Sequence, residues 1–541
     1  MKSTNDSGST GMGLTRRDVL KSTLLATAPL AAGVSPLAAG RAGIVTDDVA
    51  DLGAKEAVRR IQAGDMKAEF YASRLLQRHA ALKYLNAMIT VDEARVLEEA
   101  RAVDVARSKG RKLGHLAGLP FIVKDQMNIA GYPTTAGNPA LRHYVPRETA
   151  SVADKLIRAG AVMLGKANCM DMVGGAFILT AVTSSNRHFG FVRNPYDTNR
   201  IPGGSSGGNG AAIAARIAPV GIGEDTGGSV RLPSAFNGIA GLRPSTFTLS
   251  NAMNGTARKR YPDDGMVPPA GLLDTWGPMA RTVEDVAFID SVISGEVPVD
   301  IDLRALRLGV PPKSYWESET VEPGVAKVML EAFEKIRDAG ATLVEVDFEG
   351  LLALNKNNVL GTAIRRAQPS MDMRTWLKQN YPGVTMEDIR RDRASYPECF
   401  ADVTFFEPTA AVAPEEAKRM FAEAARAHSD LFQRSNISAL AFPTVPIVAP
   451  LINVNGDTPG QKILVNGRWV DELTIILTNS VIGARLGAPA LSLPAGLAGG
   501  LPVGLELEGL PGDDARILGI GMAIEKILGP LPPPSLTLSA A

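Results

Sequence analysis

The chain has 541 residues, 45% hydrophobic and 21% charged, an ordinary globular usage that excludes intrinsic disorder. Lysine plus arginine number 57 and aspartate plus glutamate also 57, so the formal net charge is zero, which argues against nucleic-acid binding driven by phosphate neutralisation. Two cysteines, Cys169 and Cys399, make neither a disulfide framework nor a cysteine zinc site.

At the N-terminus, Arg16-Arg17 precede a weakly apolar, Ala-rich run from Leu24 to Val34, broken by Pro29 and Gly33. That run is too short and too mild to span a bilayer. Small residues follow at Ala38, Ala39 and Gly40. The segment 1–39 resembles a twin-arginine export signal, an address and not an anchor. A periplasmic or secreted protein is expected, or a cytoplasmic one if the signal is not used. Residues 40–541 are expected to form one large domain.

Ala54 to Leu82 carries helical apolar spacing, and Asp92 to Lys109 is a second amphipathic segment closed by Gly110. Lys124 ends an apolar run, Gly118-Leu-Pro-Phe-Ile-Val-Lys124, that reads as a strand. Burial beside Phe121, Ile122 and Val123 disfavours an ammonium ion, so Lys124 is a candidate neutral base. Ser151 to Gly160 and Pro323 to Gly340 each read as a helix ended by glycine and followed by a buried strand, Ala161 to Leu164 and Ala341 to Val346. This alternation argues for an α/β layer arrangement. Gly160 to Lys166 nearly spells a phosphate-binding loop, but Ala167 lacks the required hydroxyl and Ala161-Val-Met-Leu164 wants to be a strand, so nucleotide binding is set aside.

From Gly203 to Gly241 the chain is glycine-rich. Gly204-Ser205-Ser206-Gly207-Gly208 fits the nucleophile-elbow pattern with Ser206 at its centre. An elbow needs a downstream histidine, and only His428 follows. His428 lies in a charged amphipathic helix and reads as a solvated residue. The other candidate serine, Ser229, stands 24 positions after Ser205 in Asp225-Thr-Gly-Gly-Ser229-Val-Arg231. Glycines before it let the backbone approach a substrate and aim N–H groups at an oxyanion. The segment 350–435 is charged and helical, and Leu486 to Leu505 reads as buried strands joined by turns, since its prolines and glycines forbid a lipid-facing helix. The five histidines are scattered, without the spacing of a zinc helix, so no metal and no cofactor is expected.

Taken together, Lys124, the two serine loops, Gly160–Asn168, Leu273–Asp285, Leu501–Leu507 and Pro511–Arg516 resemble the amidase signature family. Residues 50–135, 150–285 and 440–520 all read like it. The resemblance implies a single large α/β domain, with a central mixed β-sheet covered by helices on both faces. It also implies a Ser–cisSer–Lys triad, in which Ser229 is the nucleophile, Ser205 the bridging serine after a cis peptide bond, and Lys124 the base. Thr226, Gly227 and Gly228, with the Ser229 amide, would form the oxyanion hole. Ser206, Asp225 and Arg231 would hold the serine loops in register. The implied reaction is hydrolysis of a carboxylic acid amide through an acyl-enzyme.

Within the family, residues 167–190 look closest to mandelamide and indoleacetamide hydrolases, so a small aryl or arylalkyl amide is the expected partner. Carbamates, anilides and peptide amides compete, because the 350–435 segment, which lines the acyl pocket in such enzymes, matches no subgroup. The runner-up is the glutamine-hydrolysing subunit of a tRNA amidotransferase. A third reading is an inactive member kept as a binding protein. No stable membrane anchor is expected, and a homodimer is left open.

Overall fold

The computed structural model describes residues 49–172, 185–186, 189–246, 259–267, 271, 273–355, 360, 373–391, 414–452 and 462–538. All of them fall in one compact unit that begins at Thr46. The expected export signal, the segment 173–184 and much of 350–435 lie outside the described residues.

Eleven strands form the central sheet: β1 (Met88–Thr90), β2 (Pro120–Lys124), β3 (Val162–Ala167), β4 (Val220–Asp225), β5 (Ala240–Arg243), β6 (Thr275–Ala280), β7 (Arg307–Val310), β8 (Thr342–Glu345), β9 (Ala439–Pro443), β10 (Ala490–Ala498) and β11 (Leu501–Glu508). Their order across the sheet is β1-β3-β2-β4-β6-β5-β10-β11-β9-β7-β8. Pairing is parallel for β3-β2-β4 and β9-β7-β8 and antiparallel between and at the β1 edge, so the sheet is mixed. The hairpin β10–β11 is the buried apolar stretch read from the sequence, turned by Gly499 and Gly500 at φ 59° and 84°.

Helices cover both faces. Successive strand residues point to opposite sides. On β10, Leu491 packs against Gly521 of helix Asp514–Leu528, whereas the next residue, Ser492, lies with Gly504 beside Ala235 of helix Arg231–Asn237. One buried cluster joins Ile122, Ile222, Leu242, Leu491, Leu505 and Ile517, so strands from both halves of the sheet share a core.

The helix read over 54–82 is two, Ala54–Ala63 and Ala68–Ala81. Gly64 is the reason: it takes φ 87° and returns its N–H to Ile61, a left-handed cap that stops the first helix. The other expected helices stand, at Glu93–Ser108, Ser151–Arg158 and Pro323–Asp338. In the charged segment the described parts are helices Met373–Asn380, Met386–Arg391 and Pro414–Ser435. Trp376 and Tyr381 stack edge-on against Tyr144, at 5.1 and 5.6 Å. None of the described helices is long and apolar enough to cross a membrane.

Candidate active site

The site grows from the carboxyl ends of two neighbouring parallel strands. Phe121 pairs with Val220 and Val123 with Ile222, which brings Lys124 and Glu224 to the same rim of the sheet. Every residue of β2 and β4 is buried, and both side chains are wholly shielded from solvent. Lys124 Nζ lies 2.6 Å from Ser205 Oγ and 2.7 Å from Glu224 Oε2.

Ser205 follows a cis peptide bond from Gly204 and is buried. Ser206 next to it begins the helix Gly207–Ala214 and ties three segments together. Its N–H donates to the Ser229 carbonyl at 3.2 Å, while its Oγ lies 3.2 Å from both the N–H and the carbonyl of Glu224. Ser229 itself is half-buried, in the turn just ahead of helix Arg231–Asn237.

Asp225 anchors that turn. Its carboxylate accepts from the N–H groups of Gly228 (2.8 Å) and Val230 (3.1 Å), from Arg231 Nε (3.1 Å) and from Arg243 Nη1 (3.1 Å). Burial alone would raise its pKa, but the two guanidinium groups outweigh it and hold Asp225 below the ordinary carboxylate value. Arg231 also pairs with Glu506 on β11, and burial pushes Glu506 up to about 7 against the pull of Arg231. Behind Lys124, the buried pair Lys166–Asp125 (3.3 Å) braces the following loop, with Lys166 Nζ donating to the Met127 carbonyl and to Thr134 Oγ1. Lys166 of the phosphate-loop look-alike is thus committed to protein groups.

The sequence reading needs correction at three places. Lys124 is not surrounded by apolar groups alone, because Glu224 shares its pocket. Gly228 is expected in the oxyanion hole, but its N–H is taken by Asp225, and its φ of 137° with Ser480 and Leu232 close by leaves no room for a Cβ. Among the described residues, none accepts from the N–H of Thr226, Gly227 or Ser229, so those three are the donors left for an oxyanion. Finally, His428 is not solvated: it is 2% exposed, with Nε2 3.1 Å from Glu508 Oε1 and its ring 5.0 Å from Phe432.

Residues that the sequence reading missed include Glu224, Arg243, Asp274 and Ser480. Ser480 Oγ donates to the Gly227 carbonyl at 2.9 Å and fixes the turn from the far side. Thr226 Oγ1 lies 2.6 Å from Glu224 Oε1 and 2.7 Å from Asp274 Oδ1. Among the described residues no cluster of His, Cys, Asp and Glu has the geometry of a metal site.

Residues 72–518 match the family model described as Amidase. Mandelamide hydrolase of Pseudomonas putida is 32% identical over 85% of this chain and 88% of its own length. Indoleacetamide hydrolase of Agrobacterium vitis is 32% identical, over 87% and 96%. A glutamyl-tRNA(Gln) amidotransferase subunit of Chloroflexus aurantiacus is 34% identical, over 86% and 94%. Among solved structures, the native peptide amidase of Stenotrophomonas maltophilia superposes with a TM-score of 0.71 at 25% identity, covering 90% of this chain and 98% of that one.

Proposed function

Because the chain belongs to the amidase family and is a hydrolase acting on amides, we propose that Ser229 carries the acyl group and that Ser205 and Lys124 move its proton. The observation that supports this reading is the 2.6 Å contact between the buried Lys124 amine and Ser205, on a loop bonded to Ser229 through Ser206. Lys124 draws the proton of Ser205 as Ser205 draws that of Ser229, and Ser229 Oγ attacks the amide carbonyl. Oxyanion charge falls to the N–H groups of Thr226, Gly227 and Ser229, held outward by Asp225 and Ser480. The proton returns through Ser205 to the leaving amine. Water then repeats the cycle on the ester and frees the acid.

The substrate class is a small aryl or arylalkyl amide, a choice supported by the likeness to mandelamide and indoleacetamide hydrolases. The amidotransferase reading has comparable identity in its favour. The Arg16-Arg17 motif of an exported protein counts against it, and we place the enzyme outside the cytoplasm. Hydrolysis of a panel containing aryl amides, anilides, carbamates, peptide amides and glutamine tests the assignment. Turnover of glutamine above all the aryl amides would overturn it. Labelling with a fluorophosphonate followed by peptide mapping should find the adduct on Ser229.

A further inference from the structure

Lys124 has a second buried partner whose own contacts bear on the proton. Glu224 Oε2 lies 2.7 Å from Lys124 Nζ, and Glu224 Oε1 lies 2.6 Å from Thr226 Oγ1. Thr226 Oγ1 in turn lies 2.7 Å from Asp274 Oδ1. A hydroxyl carries one proton, so Thr226 donates to one carboxylate at a time. With Glu224 ionised, two carboxylates compete for that proton. With Glu224 protonated on Oε2, its Oε1 is a neutral carbonyl oxygen and a weaker acceptor, so Thr226 donates to the Asp274 carboxylate instead. Thr226 and Asp274 are half-buried, whereas Lys124 and Glu224 are wholly buried.

We propose that Lys124 relays the proton taken from the serine pair and that Glu224 is its terminal acceptor, with Thr226 turning from Glu224 to Asp274 as the proton arrives. This deepens, and rests on, the Lys124–Ser205–Ser229 relay described above. In acylation the Ser229 O–H bond breaks as Oγ bonds the acyl carbon and the carbonyl π pair moves to oxygen. At rest the pair shares one proton, held by Lys124 beside the Glu224 carboxylate; the Ser229 proton passes to Ser205 Oγ and the Ser205 proton to Lys124 Nζ as one ammonium proton leaves Lys124 for Glu224 Oε2. When the tetrahedral intermediate collapses, the transfers reverse and the proton ends on the departing amine. Glu224 is then a carboxylate again, ready for deacylation.

The surroundings suit an acceptor of this kind. Burial lifts the Glu224 carboxyl above its ordinary value, opposed by Lys124 and assisted by Asp274, which brings it nearer to a working pH. The charged groups facing it are Lys124 from β2, with the Asp125–Lys166 pair and the Cys169 thiol behind, and Asp274 ahead of β6, whose main-chain carbonyl accepts from Lys259. Its strand neighbour Asp225 is turned toward Arg231 and Arg243.

The test is the pH profile of kcat/KM for the wild type and Glu224→Gln. In the proposal the resting pair holds one proton and fails on gaining a second, so the acid limb belongs to the pair. Glu224→Gln hands that limb to the Lys124 amine alone and moves it up by at least about one unit, a tenfold loss at a pH on the limb. A limb that moves down would mean that Glu224 merely held Lys124 as an ammonium ion. An unmoved limb would mean no part in proton transfer. Either result overturns the proposal. If Glu224→Gln does not fold, the wild type decides: a carboxyl limb hardly shifts with temperature, whereas the steep shift of an amine limb would refute the acceptor role. Ser229→Ala separates the two readings. Its full activity would remove the relay itself, whereas a dead Ser229→Ala with an unmoved Glu224→Gln limb removes only the acceptor.

Discussion

The N–H of Ser206 donates to the carbonyl of Ser229 at 3.2 Å, and through that bond two loops, 23 positions apart at these residues, are held as one surface. The same Ser206 reaches β4 through its hydroxyl, so the strand that carries Glu224, the loop that carries Ser205 and the turn that carries Ser229 have one common point. Such bracing from rigid elements is what keeps a nucleophile and its proton acceptor within reach during a reaction. It also explains why three catalytic candidates from three different elements can act together.

Replacing Ser229 with alanine should leave this scaffold intact, because Ser229 contributes its carbonyl, not its hydroxyl, to the bond with Ser206. Activity should fall on the order of 10³-fold or more, and mass spectrometry should find no acyl adduct. An ester trapped on Ser205 in this variant would reverse the assignment of the two serines.

The motifs were legible because their residues are close in sequence. Ser205 with Ser206, and Asp225 through Arg231, announce themselves within a few positions, and the glycine-ended helices do the same. Glu224 escaped notice because its partner Lys124 lies 100 positions upstream, and only the β2–β4 pairing brings them together. Ser480 reaches Gly227 across 253 positions, beyond the reach of any local pattern. His428 is different, since its signal was present. Phe421, Ala424, His428 and Phe432 recur at helical spacing and form one stripe, and three of them share a buried cluster with Phe348 and Phe442. The charged composition of the helix hid that stripe. Strand order was not readable either, because β6 inserts between β4 and β5, and β10 pairs with β5 although β6 to β9 separate them in sequence.

Asp225 should matter for stability as well as for the turn. Asp225→Asn leaves Arg231 and Arg243 facing a neutral group in a buried setting, which should cost about 3–5 kcal/mol. Asp225 titrates below its unfolded value, so its stabilisation is complete above a pH of about 4 and fades as the pH falls through the lower, folded value. Urea melts at neutral pH and at a pH near 3 check both statements. The variant should be weaker at neutrality and should lack part of the wild type's acid-side decline. Equal stability of the two proteins at neutral pH would contradict the network's role.

The proposed export would rest on Arg16-Arg17, which precede the Ala-rich run Leu24 to Val34. A receptor-read address of this type depends on the arginine pair itself, not on charge alone. Changing both residues to lysine should hold the protein in the cytoplasm. Fractionation of expressing bacteria tests this, and unchanged recovery from the periplasm would dismiss the signal.

Lys124 and His428 are the two bases that competing mechanisms can use, and their variants should fail in different ways. Lys124→Met removes the group 2.6 Å from Ser205, so turnover should fall roughly 10²- to 10⁴-fold, toward the upper end because in the proposed relay the same group also returns the leaving-group proton. It also leaves Glu224 buried without its cation, so folding must be checked by circular dichroism and thermal melting. His428→Ala strips Glu508 of its partner and opens a gap beside Phe432, a loss of about 1–3 kcal/mol from the unpaired carboxyl alone. At a temperature well below its melting point, however, this variant should turn over substrate at near wild-type rate, because His428 touches none of Lys124, Ser205 or Ser229 among the contacts described. Melting curves and kcat measured on the same preparations separate the two effects. A folded Lys124→Met enzyme with normal turnover, or a stably folded but inactive His428→Ala one, would return the histidine to the mechanism.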